Sequence, residues 1–344
     1  MKPSSVFLVI GADRKNGSPN LPAVVNETVD VLRSVGWSVS VGVVDDRTSV
    51  LGILRNVRIL RNEVAQTNPC IIHAQYGSVT SAVARLIAGS LPLVVSFRGD
   101  DLLGTPIPGV VWRVRERLAK CIGIWGACDA SAIITVSENL WTALPGELKS
   151  KARILPFGVD INFFRPMDSD ECRRKLGWDR KSKIILFNAS SGTNQNVKNL
   201  ALAQETVTRL TKLIPNVKLH SMSTANRQEV CWMMNASDCL LVTSLHEGSP
   251  GVVKEAMACN LPIVSVPCGD VVQRLNMVKP GAVCPYDVAD LADAILKVIQ
   301  NGERSNGRDQ VFLQKLTRQD FGQQLTQLYC QILANTNQVQ GLKY

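Results

Sequence analysis

The sequence predicts an α/β chain made of two doubly wound, Rossmann-like parallel-sheet domains. Three observations carry this. Apolar runs of strand length alternate with longer runs of helical spacing through both halves of the chain. The alternation pauses once, at Pro156-Phe157-Gly158-Val159-Asp160, where residues that punctuate structure cluster. The chain has 344 residues, more than one hydrophobic core usually encloses, so two domains are expected.

In the first half, residues 6–10 form an apolar run that stops at Gly11 and is expected to be the first strand rather than a signal peptide. Residues 21–35 have helical spacing and stop at Gly36, the usual residue after a helix end. Residues 38–44 and 70–74 are the second and third strands. Residues 78–88 are a helix, and 93–97 and 130–136 are further strands. The second half repeats the pattern, with strands at 183–188, 217–221, 239–243 and 262–266 and helices between them. Such alternation implies parallel sheets covered on both faces. The expected boundaries are 1–156 for the first domain and 157–320 for the second. Residues 321–344 form a last amphipathic helix. The two domains are expected to face each other across a cleft, with ligands at the carboxyl ends of the strands.

Composition narrows the function classes. No apolar run approaches the roughly 20 residues needed to span a bilayer. The ten cysteines are scattered with no CxxC pair, which suits reduced thiols in a cytoplasmic protein. A formal net charge of +9 calls for an acidic partner. Nucleic acid is not expected, since no fold signature for it is present and aromatic residues make up only 5% of the chain. An anionic membrane surface fits better. In segment 112–125, Arg113, Arg115, Arg117 and Lys120 lie between Trp112 and Trp125, as a helix lying on a membrane would need. The other reading of this segment is a solvated face with its tryptophans in the core.

The chemistry concentrates between Thr243 and Gly269. Glu247 and Glu255 are separated by seven residues, and Gly248-Ser249-Pro250-Gly251 leads from a strand into a helix. The amides of Ser249 to Val252, at a helix N-terminus, suit a phosphate. A carboxylate on each side suits sugar or ribose hydroxyls. Together they describe a site for a nucleotide sugar. No Ser/His/Asp order, no metal-spaced histidine cluster and no GxGxxG after the first strand competes with it.

This Glu-x7-Glu element, followed by Ala256-Met257-Ala258-Cys259-Asn260-Leu261-Pro262, resembles the donor-site signature of family 4 glycosyltransferases, the bacterial polysaccharide-type glycosyl transferases group 1. The resemblance continues through 234–241 and 283–295, and loosely through the first half. It implies the GT-B fold, with the last helix crossing back to the first domain, and retention of anomeric configuration without a metal or other cofactor. It further implies that Glu255 accepts from the ribose, that Glu247 holds donor-sugar hydroxyls, and that Lys198 neutralises the leaving diphosphate. The family's Arg near Lys198 is missing here, with Ser190 or Asn196 about where it would stand, so Ser190 and Ser191 are the expected neutral donors. On the acceptor side His73 lies in segment 71–77 that closes the third strand, where the family often has His-Ala-His, and Ser96-Phe97-Arg98-Gly99-Asp100-Asp101 stands where family members often show His-Gly-x-Asp. Gly99 and Asp101 match, and Arg98 takes the histidine position. An arginine stays protonated and cannot serve as a general base; the role open to it is to bind an acceptor diphosphate or a donor oxygen. At the domain junction Phe157 replaces the family's Asn, while Gly158, Val159, Asp160, Phe164 and Pro166 match.

The expected function is therefore transfer of a hexose-type sugar from a nucleoside diphosphate to a saccharide or lipid-linked acceptor, in the cytoplasm at the inner membrane face. The alternatives are a GT-B nucleotide-sugar epimerase and a non-catalytic nucleotide-sugar-binding protein.

Overall fold

A computed structural model describes residues 4–341 apart from residues 13, 16, 17, 20, 105–108, 190–194 and 224; it describes no side chains in 13–20, 190–196 or 337–341. The chain divides into two compact units, Met1–Phe157 with Gln319–Tyr344, and Gly158–Arg318. Both are parallel, doubly wound α/β units.

In the first unit the sheet strands are β1 (Ser5–Gly11), β2 (Ser38–Val44), β3 (Ile71–Ala74), β4 (Leu93–Phe97), β5 (Ala132–Thr135) and β6 (Ala152–Ile154). Their order is β2-β1-β3-β4-β5-β6, and every pairing is parallel. The helices of this unit include α1 (Ala23–Ser34), α2 (Val50–Thr67), α3 (Ser78–Ala88), the single turn α4 (Asp100–Leu103) and α5 (Val110–Ala127). Strand alternation divides the core in two. β1 sends Phe7 and Val9 to a cluster shared with α2 and α3, and Val6, Leu8 and Ile10 to a cluster shared with α1. The C-terminal helix packs in the α1 cluster through Phe321, Leu325, Tyr329 and Ile332.

The second unit has β7 (Lys183–Phe187), β8 (Val217–Ser221), β9 (Cys239–Val242), β10 (Ile263–Ser265) and β11 (Gly281–Val283), in the order β8-β7-β9-β10-β11, again all parallel. Its site-bearing helices are the single turn α6 (Gln195–Lys198), then α7 (Leu200–Thr211) and α8 (Gly251–Ala258). The C-terminal helix, α9 here, runs Arg318–Gly341 and starts before the expected residue 321. In each sheet the strand order reverses beside the first strand, between β1 and β3 and between β7 and β9. Ligands of open α/β sheets bind at the carboxyl ends of strands flanking such a reversal.

The bounds read from the sequence agree with the structure within a residue or two for most strands. The three-residue edge strands β6 and β11 were not expected. An edge strand of that length has too few side chains to show a period. At the junction, Gly158 runs so close to the chain at Thr317 that a Cβ would lie 2.3 Å from its carbonyl oxygen. Only glycine fits there.

Candidate functional site

Lys198 is placed by backbone bonds. Asn199 adopts a left-handed φ of 54° and breaks α6 from α7. Lys198 thus closes the single turn α6 instead of opening the longer helix, as the sequence had suggested. Thr243 Oγ1, just past β9, donates to the carbonyls of Lys198 (2.8 Å) and Asn199 (3.0 Å), and the Leu245 N–H donates to Val197 O at 2.8 Å. This pins α6 against the loop after β9. The ammonium of Lys198 then meets Glu247 Oε1 at 2.5 Å, with the two side chains only 15% and 17% exposed. A charge-assisted bond in so sheltered a place is worth more than a surface ion pair.

The rest of the loop is held from below. Gly269 has φ 57°, and a Cβ there would lie 2.7 Å from Gly248 O and 3.1 Å from Glu247 Cβ. Ser249 Oγ donates to Asp270 Oδ2 at 2.8 Å and accepts from Lys254 Nζ at 3.1 Å. Asp270 also takes Arg274 Nε at 2.8 Å. The Ser249 hydroxyl is thus engaged, and what this residue offers to a ligand is its N–H. Pro250 is the N-cap of α8 and contributes no side-chain hydrogen bond. The first-turn amides, including those of Gly251 and Val252, are therefore not capped by the Pro250 side chain. Glu255 is the fifth residue of α8, half-buried, on a helix whose other face packs Val253, Ala256 and Met257 into the core. Ser190 and Ser191 lie outside the described residues. Lys254, Asp270 and Arg274 were not anticipated. Lys254 did leave a signal, as a lone cation inside an apolar helical run.

His73, Arg98 and Asp101, expected on the acceptor side, lie at the other reversal, in the first unit. His73 on β3 is fully enclosed. Its Nε2 meets Ser96 Oγ on β4 at 2.7 Å, and its Nδ1 meets Tyr329 Oη on α9 at 2.6 Å and Gln75 Nε2 at 3.0 Å. Burial, and then the Arg98 charge, push its pKa down to about 3, so the ring is neutral. The Gln75 amide oxygen accepts from the Arg98 guanidinium, which has only donors. The Gln75 NH2 must then donate to His73 Nδ1, which leaves the histidine proton on Nε2, facing Ser96. Arg98 lies over the Phe157 ring at 4.5 Å. The two departures from the family pattern, Arg98 and Phe157, therefore touch. Burial lowers the Arg98 pKa to about 10, which still leaves a cation at neutral pH.

Asp101 is buried and points at backbone. It accepts from the N–H groups of Gly77 (2.8 Å), Gly99 (2.9 Å) and Arg98 (3.0 Å). Burial raises its pKa, while these bonds oppose the rise. Its place is that of a clamp joining the ends of β3 and β4. His73, likewise, holds Gln75, and Gln75 holds Arg98. A cavity of about 350 Å³ opens here, lined by Gln75 and Arg98 among others.

Residues 183–301 match the model of the family Glycosyl transferases group 1. This stretch is a glycosyl transferases group 1 domain. The domain holds Lys198, Glu247, the 248–252 loop and Glu255; His73, Arg98 and Asp101 precede it. Among curated proteins, TuaC of Bacillus subtilis (strain 168), named as a teichuronic acid biosynthesis glycosyltransferase, is 21% identical over 244 residues. That match covers 67% of this chain and 61% of TuaC, so the chain spans less than two thirds of this relative's length. Sucrose-phosphate synthase from Thermosynechococcus elongatus superposes with a TM-score of 0.75 at 16% identity, covering 96% of this chain and 100% of that one. Anabaena HepE, solved in complex with UDP and with UDP-glucose, superposes with a TM-score of 0.67 at 19% identity, with 95–96% of this chain and 100% of that one covered. Likeness of this extent shows the fold, that of the GT-B glycosyltransferases.

Proposed function

We propose that the protein is a retaining glycosyltransferase that moves a hexose from a nucleoside diphosphate sugar to a saccharide or lipid-linked acceptor in polysaccharide biosynthesis, without a catalytic metal. The observation that carries this reading is the Lys198–Glu247 pair beside the amide turn of α8, at the strand-order reversal of the second sheet. A phosphate suits the first-turn amides and a lysine, and hydroxyls suit Glu247 and Glu255. HepE, alike in fold, is a precedent for a UDP-sugar donor. TuaC carries a name that places it in teichuronic acid biosynthesis.

In this reading the diphosphate lies against the N–H groups of Ser249, Gly251 and Val252, and the ribose hydroxyls donate to Glu255. As the bond between the anomeric carbon and the phosphate oxygen breaks, charge grows on the diphosphate. Lys198 stabilises that charge where it develops. The acceptor hydroxyl attacks the same face of the sugar, and its proton passes to the departing phosphate oxygen. No protein nucleophile is required, and catalysis rests on positioning and charge.

The same proposal includes a site of work, the inner membrane face, with α5 as the contact. Gly123 and Gly126 let α5 lie close on α3, since a Cβ on Gly126 would sit 2.5 Å from the Ser81 backbone. The opposite side leaves Val111 (85% exposed), Val114, Leu118, Ile122 and Trp125 (45%) as one exposed apolar stripe at helical spacing, with Arg113, Arg115 and Arg117 exposed beside it. Among the described residues no helix is long and apolar enough to cross a membrane.

A thermal-shift series over nucleoside diphosphates and their sugars tests the donor reading. A bound ligand at 100 times its dissociation constant stabilises by about 2.7 kcal/mol. No shift with any nucleotide at millimolar concentration sinks it.

A further inference from the structure

We propose that the cavity in the first unit binds a sugar-borne oxyanion, a carboxylate or phosphate on the acceptor, with Arg98 as its principal ligand. This rests on the glycosyltransferase reading and adds the chemical class of the acceptor. The cavity, about 350 Å³, lies at the β1/β3 reversal and is lined by Gly11, Arg47, Gln75, Tyr76, Thr80 and Arg98. Its size falls within the range of small-ligand pockets. The Arg98 guanidinium is held by the Gln75 carbonyl and by the Phe157 ring. Its Nε is buried and has no hydrogen-bond partner, a costly state for a charged donor unless a ligand completes it.

Three further observations favour an anion. Arg47 brings a second guanidinium to the cavity wall. At Gly11 a Cβ would come within 3.0 Å of both Arg47 Nη1 and Thr80 Oγ1, so the glycine keeps open a space bordered by two donors. Thr80 is in the first turn of α3, whose N-cap, Gly77, has no side chain to cap it. Among the described residues no carboxylate lines the cavity; the nearby Asp101 is turned onto three backbone N–H groups. The two charged groups among the described lining residues, Arg47 and Arg98, are both cations. A neutral sugar would leave the Arg98 Nε without a charged acceptor, whereas a uronate or sugar phosphate could take a forked bond.

The test is direct binding to the full chain of three probes alike in ring size: D-glucuronate, glucose 6-phosphate and glucose. UDP serves as the control for the second unit. Glucuronate, glucose 6-phosphate or both are expected to bind at least about tenfold more tightly than glucose, and the stronger anion identifies the source of the charge. Arg98→Gln should weaken that probe by about ten- to a hundredfold, the loss of one charge-assisted bond, and Arg98→Lys by less. UDP affinity should be the same in all three proteins, which also reports that the variants are folded. Equal binding of glucose and the anions, no binding of either anion, or anion binding indifferent to Arg98→Gln overturns the proposal. Loss of UDP binding alone, with anion binding intact, instead counts against the glycosyltransferase reading.

Discussion

The two sheets place different chemistry at the same topological position. At the reversal in the second unit, most of the groups are local in sequence: a loop, a helix start and two glutamates within nine residues, joined by one short ion pair to Lys198, 49 residues before Glu247. At the reversal in the first unit, they come from far apart. His73 binds Ser96 and Tyr329, which are 23 and 256 residues away. In the proposed reaction the second site meets charge that changes as the donor bond breaks. The first is built on a neutral buried histidine and a fixed cation. The fold supplies a place for a ligand, and the side chains delivered there decide which ligand.

Four experiments can break or sharpen that contrast. The largest effect is expected in the first unit and away from its cavity. Each basic residue near an anionic bilayer contributes about 1 kcal/mol at low salt, so changing Arg113, Arg115, Arg117 and Lys120 to Gln should cost about 4 kcal/mol of vesicle binding. Co-sedimentation with phosphatidylserine vesicles reads this, and UDP affinity should not move. Equal sedimentation of variant and wild type would return α5 to a merely solvated face.

Next, Lys198→Ala should lower kcat by about 10²–10³ with a smaller rise in KM, because the charge it meets grows in the transition state. A change confined to KM would make Lys198 a binding residue only.

Smaller effects follow at the glutamates. Glu255→Ala should weaken UDP binding by about 1.5–3 kcal/mol, one charged hydrogen bond. Glu247→Ala should affect UDP-glucose more than UDP. Calorimetric titration of both ligands against both variants separates the two roles. Identical losses for UDP and UDP-glucose in the two variants would erase the distinction.

The smallest is a pH effect peculiar to the first unit. The His73 pKa falls from 6.5 to about 3 on folding, so below pH 6.5 the unfolded chain takes up a proton that the folded chain refuses. The stability His73 contributes is complete above 6.5 and is lost as pH falls toward 3, at about 1.4 kcal/mol per pH unit. His73→Gln should flatten the urea-derived stability profile between pH 6 and 4 by about that slope. An unchanged profile would mean that the ring is charged in the fold.

Much of the architecture was legible because alternating apolar runs record a parallel α/β plan without any long-range information. The 248–252 loop was legible for a similar reason. Glu247, the glycines and Glu255 lie within nine residues, and strand, loop and helix signals flank them. The first-unit network was not. Nothing in the C-terminal helix pattern marks Tyr329 as the partner of a histidine on β3. Burial, rather than sequence, turns His73 and Asp101 into supports for Gln75, Arg98 and the β4 turn. Segment 112–125 showed its charge in the sequence, but not which side faced out. That depended on Gly123 and Gly126, whose missing side chains let α5 settle on α3.

The central claim is sugar transfer at the Lys198–Glu247 site, and acceptor-dependent release of nucleotide tests it most directly. The protein is incubated with radiolabelled nucleoside diphosphate hexoses, UDP-glucose first, with and without an extract of saccharide and lipid-linked acceptors. Free nucleoside diphosphate and labelled product are then followed together. The account predicts one-to-one release and transfer only when acceptor is present, unaffected by chelator and reduced about 10²–10³-fold in Lys198→Ala. Sugar conversion without acceptor would indicate an epimerase. Donor binding without turnover would indicate a binding protein. Either result would contradict the account.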